Sequence, residues 1–319
     1  MEQVTLADVL RARQVVRRYL PPTPVLPAWT LGQRTDCALH IKYESLSPIR
    51  SFKLRGALYC LSRLPADKAG VASASTGNHG QGIALAASTF GRRAVVVVPE
   101  TTPARKQAAI RHFGADLRVA GRDLAESVTI AQQIAAEENL VYVEDGEHPD
   151  VLAGCATLAL ELVEQLPDLT CLLVPVGGGN LIAACGLVVK SLRPDVRLIG
   201  VQSTAAPAVY NAWRAGTPDQ HADCMTFAGG VATSYPCRFT FPFIQQYVDD
   251  MVLVNDDALI EAAITMLAET GHLPEGAGAA GLAALLADPA RYANQTVALL
   301  LTGGNFEPVI WERLLSKRA

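Results

Sequence analysis

The chain has 319 residues, 50% of them hydrophobic and 18% charged, with a formal net charge of -4. Such a composition excludes disorder as the dominant state and suffices for two domains with a sizeable core. The interspersed, mildly acidic charge gives no basic field for nucleic acid, and apolar runs such as residues 94–98 and 297–301 fall far short of the roughly 20 residues that span a bilayer. A small-molecule function is expected, with neither nucleic acid nor membrane as a partner.

Leu6, Val9, Leu10, Val16 and Leu20 recur at helical spacing, with Thr5 as N-cap and Asp8 in an acidic first turn. Met1-Glu2-Gln3-Val4-Thr5-Leu6-Ala7-Asp8 has early acids and no apolar centre, unlike a signal peptide. Pro21-Pro22-Thr23-Pro24 stops this helix, residues 38–43 alternate as a short strand, and Ser47-Pro48 turns the chain toward Ser51 and a helical run through residue 64. Strands are then expected at 71–74, 94–98, 116–119 and 141–143, between helices at 81–87, 103–113 and 124–138. A second series has strands near 172–176, 198–201, 252–254 and 297–301, each followed by a helical pattern. The alternation predicts an α/β protein with mostly parallel sheets. No flexible linker and no internal repeat divides it. Lengths predict a small domain at 70–146 inserted into a large one formed by 1–69 and 147–319, with the active site in the cleft between them.

Seven cysteines (Cys37, Cys60, Cys155, Cys171, Cys185, Cys224 and Cys237) are scattered without a Cys-x-x-Cys pair. Neither a disulfide framework nor a zinc ribbon is indicated, so they read as small buried hydrophobes in a reducing cytoplasm.

Three glycine-bearing turns and one lysine carry the chemistry. Strand 172–176 runs into Gly177-Gly178-Gly179-Asn180-Leu181 and a helix. Glycines admit an anion close to the backbone, and the helix N-terminus donates to it, so this reads as a phosphate cradle. It lacks the Gly-x-Gly-x-x-Gly and Walker patterns, which disfavours a dinucleotide or a nucleoside triphosphate. Ser75-Thr76-Gly77-Asn78-His79 also follows a strand, and its amides, hydroxyls and Asn side chain suit a substrate carboxylate. His79 is either catalytic or a structural hydrogen-bonder. Thr302-Gly303-Gly304-Asn305 ends a core strand where open α/β sheets bind ligands. In Ser51-Phe52-Lys53-Leu54-Arg55-Gly56, a lysine drawn out of water would be a nucleophile or base, although alone it reads as readily as a solvated charge.

Together and in this order, these segments resemble the serine/threonine dehydratase and serine racemase family, pyridoxal-phosphate enzymes of fold type II, from about residue 21 to the C-terminal region. The resemblance implies that Lys53 holds the cofactor as a Schiff base and later takes the Cα proton. Gly177, Gly178, Gly179, Asn180 and Leu181 would bind its phosphate, Phe52 would flank the ring, Asn78 its 3'-oxygen side, and Thr302 its nitrogen. Glu275 resembles the family's glutamate near the cofactor. Ser75, Thr76, Gly77, Asn78, His79 and Gly229 would serve the substrate. The implied reaction is loss of water from a β-hydroxy-α-amino acid (serine or threonine, or 3-hydroxyaspartate or phenylserine), giving a 2-oxo acid and ammonia. A serine racemase-like activity is the alternative, ahead of a β-replacement synthase and a non-catalytic cofactor binder. Family members are commonly homodimers or higher homo-oligomers.

Departures narrow the resemblance. Arg50 stands where a glycine usually precedes Ser-Phe-Lys, either as a solvated or interface charge or facing a second acidic group on the substrate. Asn180 replaces the last of four glycines. Gln202 and Ala208 stand where cation-binding members carry acids, so no metal is expected. Thr76 replaces the serine of racemases and the alanine of biosynthetic threonine dehydratases; its hydroxyl either reprotonates Cα or makes a helix-entry hydrogen bond. The end at Ala319 leaves no room for a distal regulatory domain, so feedback through one is not expected.

Overall fold

The computed structural model describes residues 4–316, so Met1, Glu2 and Gln3 of the opening stretch and the last three residues of the large-domain block lie outside the described residues. The strands are β1 (Val25–Pro27), β2 (Ala38–Tyr43), β3 (Gly70–Ala74), β4 (Arg93–Val98), β5 (Asp116–Val119), β6 (Leu140–Tyr142), β7 (Cys171–Pro175), β8 (Arg197–Ser203), β9 (Asp250–Val254) and β10 (Thr296–Leu301). The chain forms two compact units, one of Met1–Pro21 and Phe52–Thr157, the other of Pro22–Ser51 and Leu158–Ala319.

The first unit carries a parallel sheet in the order β5-β4-β3-β6. Ala72, Val95 and Val97 pack under Ala131, Ile134 and Ala135 of the helix Leu124–Glu137. Asp123 caps that helix by accepting from Glu126 N–H at 2.9 Å. The N-terminal helix Leu6–Val16 is capped as expected, Asp8 accepting from Thr5 N–H at 2.9 Å. Helix Lys53–Ser62 lies close enough to helix Asn78–Thr89 that a Cβ at Gly82 would sit 3.2 Å from the Lys53 carbonyl. The four strands fall inside the predicted 70–146 block, but the compact unit is wider. It adds the helices at 6–16 and 53–62 and the start of Pro149–Gln165, because the 53–62 helix packs on Asn78–Thr89 and the other two pack on the 53–62 helix in turn.

The second unit carries the order β1-β2-β10-β7-β8-β9, parallel except for β1 against β2. Its core joins Leu39, Ile41, Leu173, Ile199, Leu299 and Leu301 to the helices Asp256–Thr270 and Gly276–Ala287. Lys42, on β2, is also wholly buried, its ammonium donating to the Thr23 carbonyl at 2.9 Å and to Glu161 at 3.0 Å. Five of the seven cysteines are buried as expected; Cys224 and Cys237 are only partly so, because both lie in the irregular chain between β8 and β9.

Candidate active site

Lys53 opens its helix directly after Phe52, whose own backbone is already helical at φ -60°. The Ser47 hydroxyl fixes the approach, accepting from Ser51 N–H at 2.8 Å and donating to the Ser51 carbonyl at 2.7 Å. One residue earlier, Arg50 adopts φ 56°, the left-handed region that favours glycine. This is the physical reason a glycine is expected there; the Arg50 side chain is exposed, as a solvated charge would be.

The Lys53 side chain is 17% exposed and its ammonium pairs with Asp145. The Phe52 ring centroid lies 4.8 Å from Nζ. Asp145 was not marked by the sequence, since it follows β6 in a stretch of ordinary acidic residues and only the fold brings it to a lysine 92 positions away. His79 joins the same electrostatic neighbourhood, its charge coupled to both Lys53 and Asp145. Its ring is buried, with Nε2 3.4 Å from the Val143 carbonyl. Burial, above all, holds its pKa below the ordinary histidine value, so the ring is neutral. That geometry supports a hydrogen-bonding anchor.

Ser75 follows β3 and accepts from Gly77 N–H at 3.3 Å, shaping the turn into helix Asn78–Thr89. A Cβ at Gly77 would meet nothing within 4 Å, so this turn has open space beside it. Thr76 and Asn78 are half-buried on the same turn. The fold therefore brings Phe52, Lys53, Asp145 and the 75–79 turn together in one unit.

In the other unit, Gly179 caps the helix Asn180–Leu192 at φ 110°. A Cβ would meet the Gly230 carbonyl at 2.6 Å from Gly177, Cys237 Sγ at 2.6 Å from Gly178, and Ile244 Cδ1 at 2.4 Å from Gly179. Gly177 is fixed by a backbone neighbour and Gly179 by its left-handed φ, while a Cβ at Gly178 would have to shift the Cys237 side chain; Asn180 and Leu181 continue the turn as buried first-turn residues. Gly229 lies on the short turn that presses on it, but Gly230 makes the close approach and Gly229 is exposed. Thr302 follows β10, and its buried Oγ1 has no hydrogen-bond partner among the described residues. Glu275 is buried beside Gly303, its N–H donating to the Gly303 carbonyl at 3.0 Å.

At the position where a cation ligand was considered, Gln202 Oε1 accepts from Tyr210 N–H at 2.8 Å and its buried Nε2 is a donor, the wrong polarity for a cation. Among the described residues no group of three or more His, Cys, Asp and Glu side chains could hold a metal, and no helix is long and apolar enough to cross a membrane.

The family described as "Pyridoxal-phosphate dependent enzyme" matches residues 16–303. The L-threonine ammonia-lyase of Thermotoga maritima is 34% identical over 316 residues, 98% of this chain and 79% of that protein. The L-threo-3-hydroxyaspartate ammonia-lyase of Saccharomyces cerevisiae is 32% identical over 314 residues, 98% of this chain and 96% of its own. A solved serine racemase from Dictyostelium discoideum superposes with a TM-score of 0.88 at 29% identity, covering 95% of this chain and 99% of that one. By sequence and by fold, the chain belongs to the pyridoxal-phosphate-dependent enzymes of fold type II, in the serine/threonine dehydratase and serine racemase family, and pyridoxal 5'-phosphate is its cofactor.

Proposed function

We propose that this enzyme is an ammonia-lyase that removes water from a β-hydroxy-α-amino acid and yields a 2-oxo acid and ammonia. The observation that carries the reading is Thr302 Oγ1, a buried hydroxyl at a strand's carboxyl end with no hydrogen-bond partner among the described residues. Bound through Lys53, the cofactor supplies an electron sink for the bond broken at Cα. A neutral hydroxyl at its ring nitrogen supports charge build-up there less than a carboxylate would, which favours rapid departure of a β-substituent over transamination.

The other roles follow from the residues' chemistry. The 177–181 turn would hold the phosphate through backbone amides, Phe52 would lie beside the ring, and Glu275 would stand close to the cofactor. Lys53 Nζ would take the Cα proton. The 75–79 turn, with Thr76, Gly77 and Asn78, would orient the substrate carboxylate, and Gly229 would belong to the substrate loop. We extend the reading to a cytoplasmic homo-oligomer, for which seven unbridged cysteines and exposed Trp29 and Trp311 are the support.

Racemisation is a second reading, favoured by the half-buried Thr76 hydroxyl on the substrate turn. One assay tests both. Serine, threonine, 3-hydroxyaspartate and phenylserine in both enantiomers are incubated in deuterated water, and 2-oxo acid and recovered stereochemistry are measured. Oxo-acid release is expected. Racemised substrate without oxo acid, abolished by Thr76→Ala, would overturn the lyase reading. Activity is also expected to survive exhaustive chelation, given the polarity of Gln202.

A further inference from the structure

The contact between Asp145 and Lys53 bears on which amino acids the site accepts, and so rests on the function proposed above. With the cofactor held through Lys53, a substrate's α-nitrogen would take the place of Lys53 Nζ, which would bring the substrate's β- and γ-substituents toward groups near Nζ. Asp145 touches Nζ, and its side chain is 31% exposed. In this structure the ammonium it holds is the lysine's.

Asp145 does not act alone. Glu144 and Glu147 flank it, and Glu144 is titrated above the ordinary carboxylate range by burial first and then by the charges of Glu147 and Asp145. The adjoining His79 and His148 are held neutral, chiefly by burial, and so do not offset these acids. Such a field attracts a cation and repels a carboxylate at short range.

We infer that Asp145 selects for a substrate whose side chain carries a second ammonium, that is, a β-hydroxylated diamino acid, over neutral and acidic analogues. Within such a substrate the distal ammonium meets the carboxylate that the lysine ammonium meets here.

Binding can be read without turnover. The holoenzyme is titrated with 2,4-diaminobutyrate, 2-aminobutyrate and aspartate, none of which has a β-hydroxyl to lose, and dissociation constants are taken from the cofactor's visible spectrum. Diaminobutyrate is expected to bind at least about ten-fold more tightly than 2-aminobutyrate, with aspartate weakest, and the preference should weaken with added salt. Asp145→Asn should collapse the ratio, while Asp145→Glu should retain part of it. Equal affinities in the parent enzyme would overturn the inference. So would a ratio unchanged in Asp145→Asn, or a uniform weakening of all three ligands, which would mean that Asp145 acts only through Lys53. Should Asp145→Asn fail to retain cofactor, the parent's ratio and its reduction in Glu144→Gln decide the matter. Release of 2-oxo acid from β-hydroxy substrates is scored separately, so loss of the lyase reading and loss of this preference are distinguishable.

Discussion

Two neighbouring residues show how far side-chain chemistry can be read before a fold is known. Lys53 in its Ser-Phe-Lys setting stands out in sequence because a triple-glycine turn and the 75–79 turn accompany it, and the fold sets it beside Phe52 and Asp145. Asp145 does not stand out, because no local pattern distinguishes a carboxylate that reaches a lysine from one that reaches water. Lys53→Ala is expected to abolish both the visible cofactor absorbance and turnover, checked by absorption spectroscopy and oxo-acid assay. At Arg50, a non-glycine residue with φ 56° is disfavoured by about 1–2 kcal/mol, against which glycine's extra unfolded-state entropy is about 0.5–1 kcal/mol. Arg50→Gly should therefore raise stability slightly, by about 0.5–1 kcal/mol in denaturant titration.

At the scale of elements, the glycine-rich turn after β7 was readable from sequence because apolar strand, glycines and helix follow one another directly. What closes around it was not. Gly230, Cys237 and Ile244 come from irregular chain and a short helix whose register has no periodic signal. With only 2.6 Å available to a Cβ at Gly178, Gly178→Ala must displace Cys237 or the cradle. Cofactor affinity is expected to fall at least about ten-fold, measured by equilibrium dialysis, with the fold retained by circular dichroism. β2 offers the same lesson in reverse. Its alternation predicts the strand correctly, yet Lys42, which such a pattern would leave solvated, is buried with Glu161. Only tertiary partners satisfy such a charge.

For the molecule as a whole, the parallel alternation of strands and helices was legible, and the extent of the compact units was not, since packing of the helices at 6–16 and 53–62 decides it. The same unit buries His79 and partly buries His148, both held below their ordinary pKa mainly by desolvation. Above about pH 6.5 both are neutral folded or unfolded, and their effect on stability is constant. Below it the unfolded chain binds protons that the folded chain does not, so stability falls as the pH drops toward the folded-state values. Melting temperature should therefore decline as the pH falls below about 6.5, and His79→Gln should flatten that decline in differential scanning calorimetry.

The pairing of β2 with β10, from Ala38 opposite Thr296 to Tyr43 opposite Leu301, also has a consequence for biosynthesis. Once β2 leaves the ribosome, roughly 260 residues must still be made before its central neighbour exists, on the order of 13–50 s at about 5–20 residues per second. Throughout that interval an apolar strand has one edge without its final partner, in competition with other nascent chains. Ribosome-bound chains stalled before residue 296 should therefore engage chaperones more strongly than full-length chains, and release from them should coincide with the emergence of the last strand.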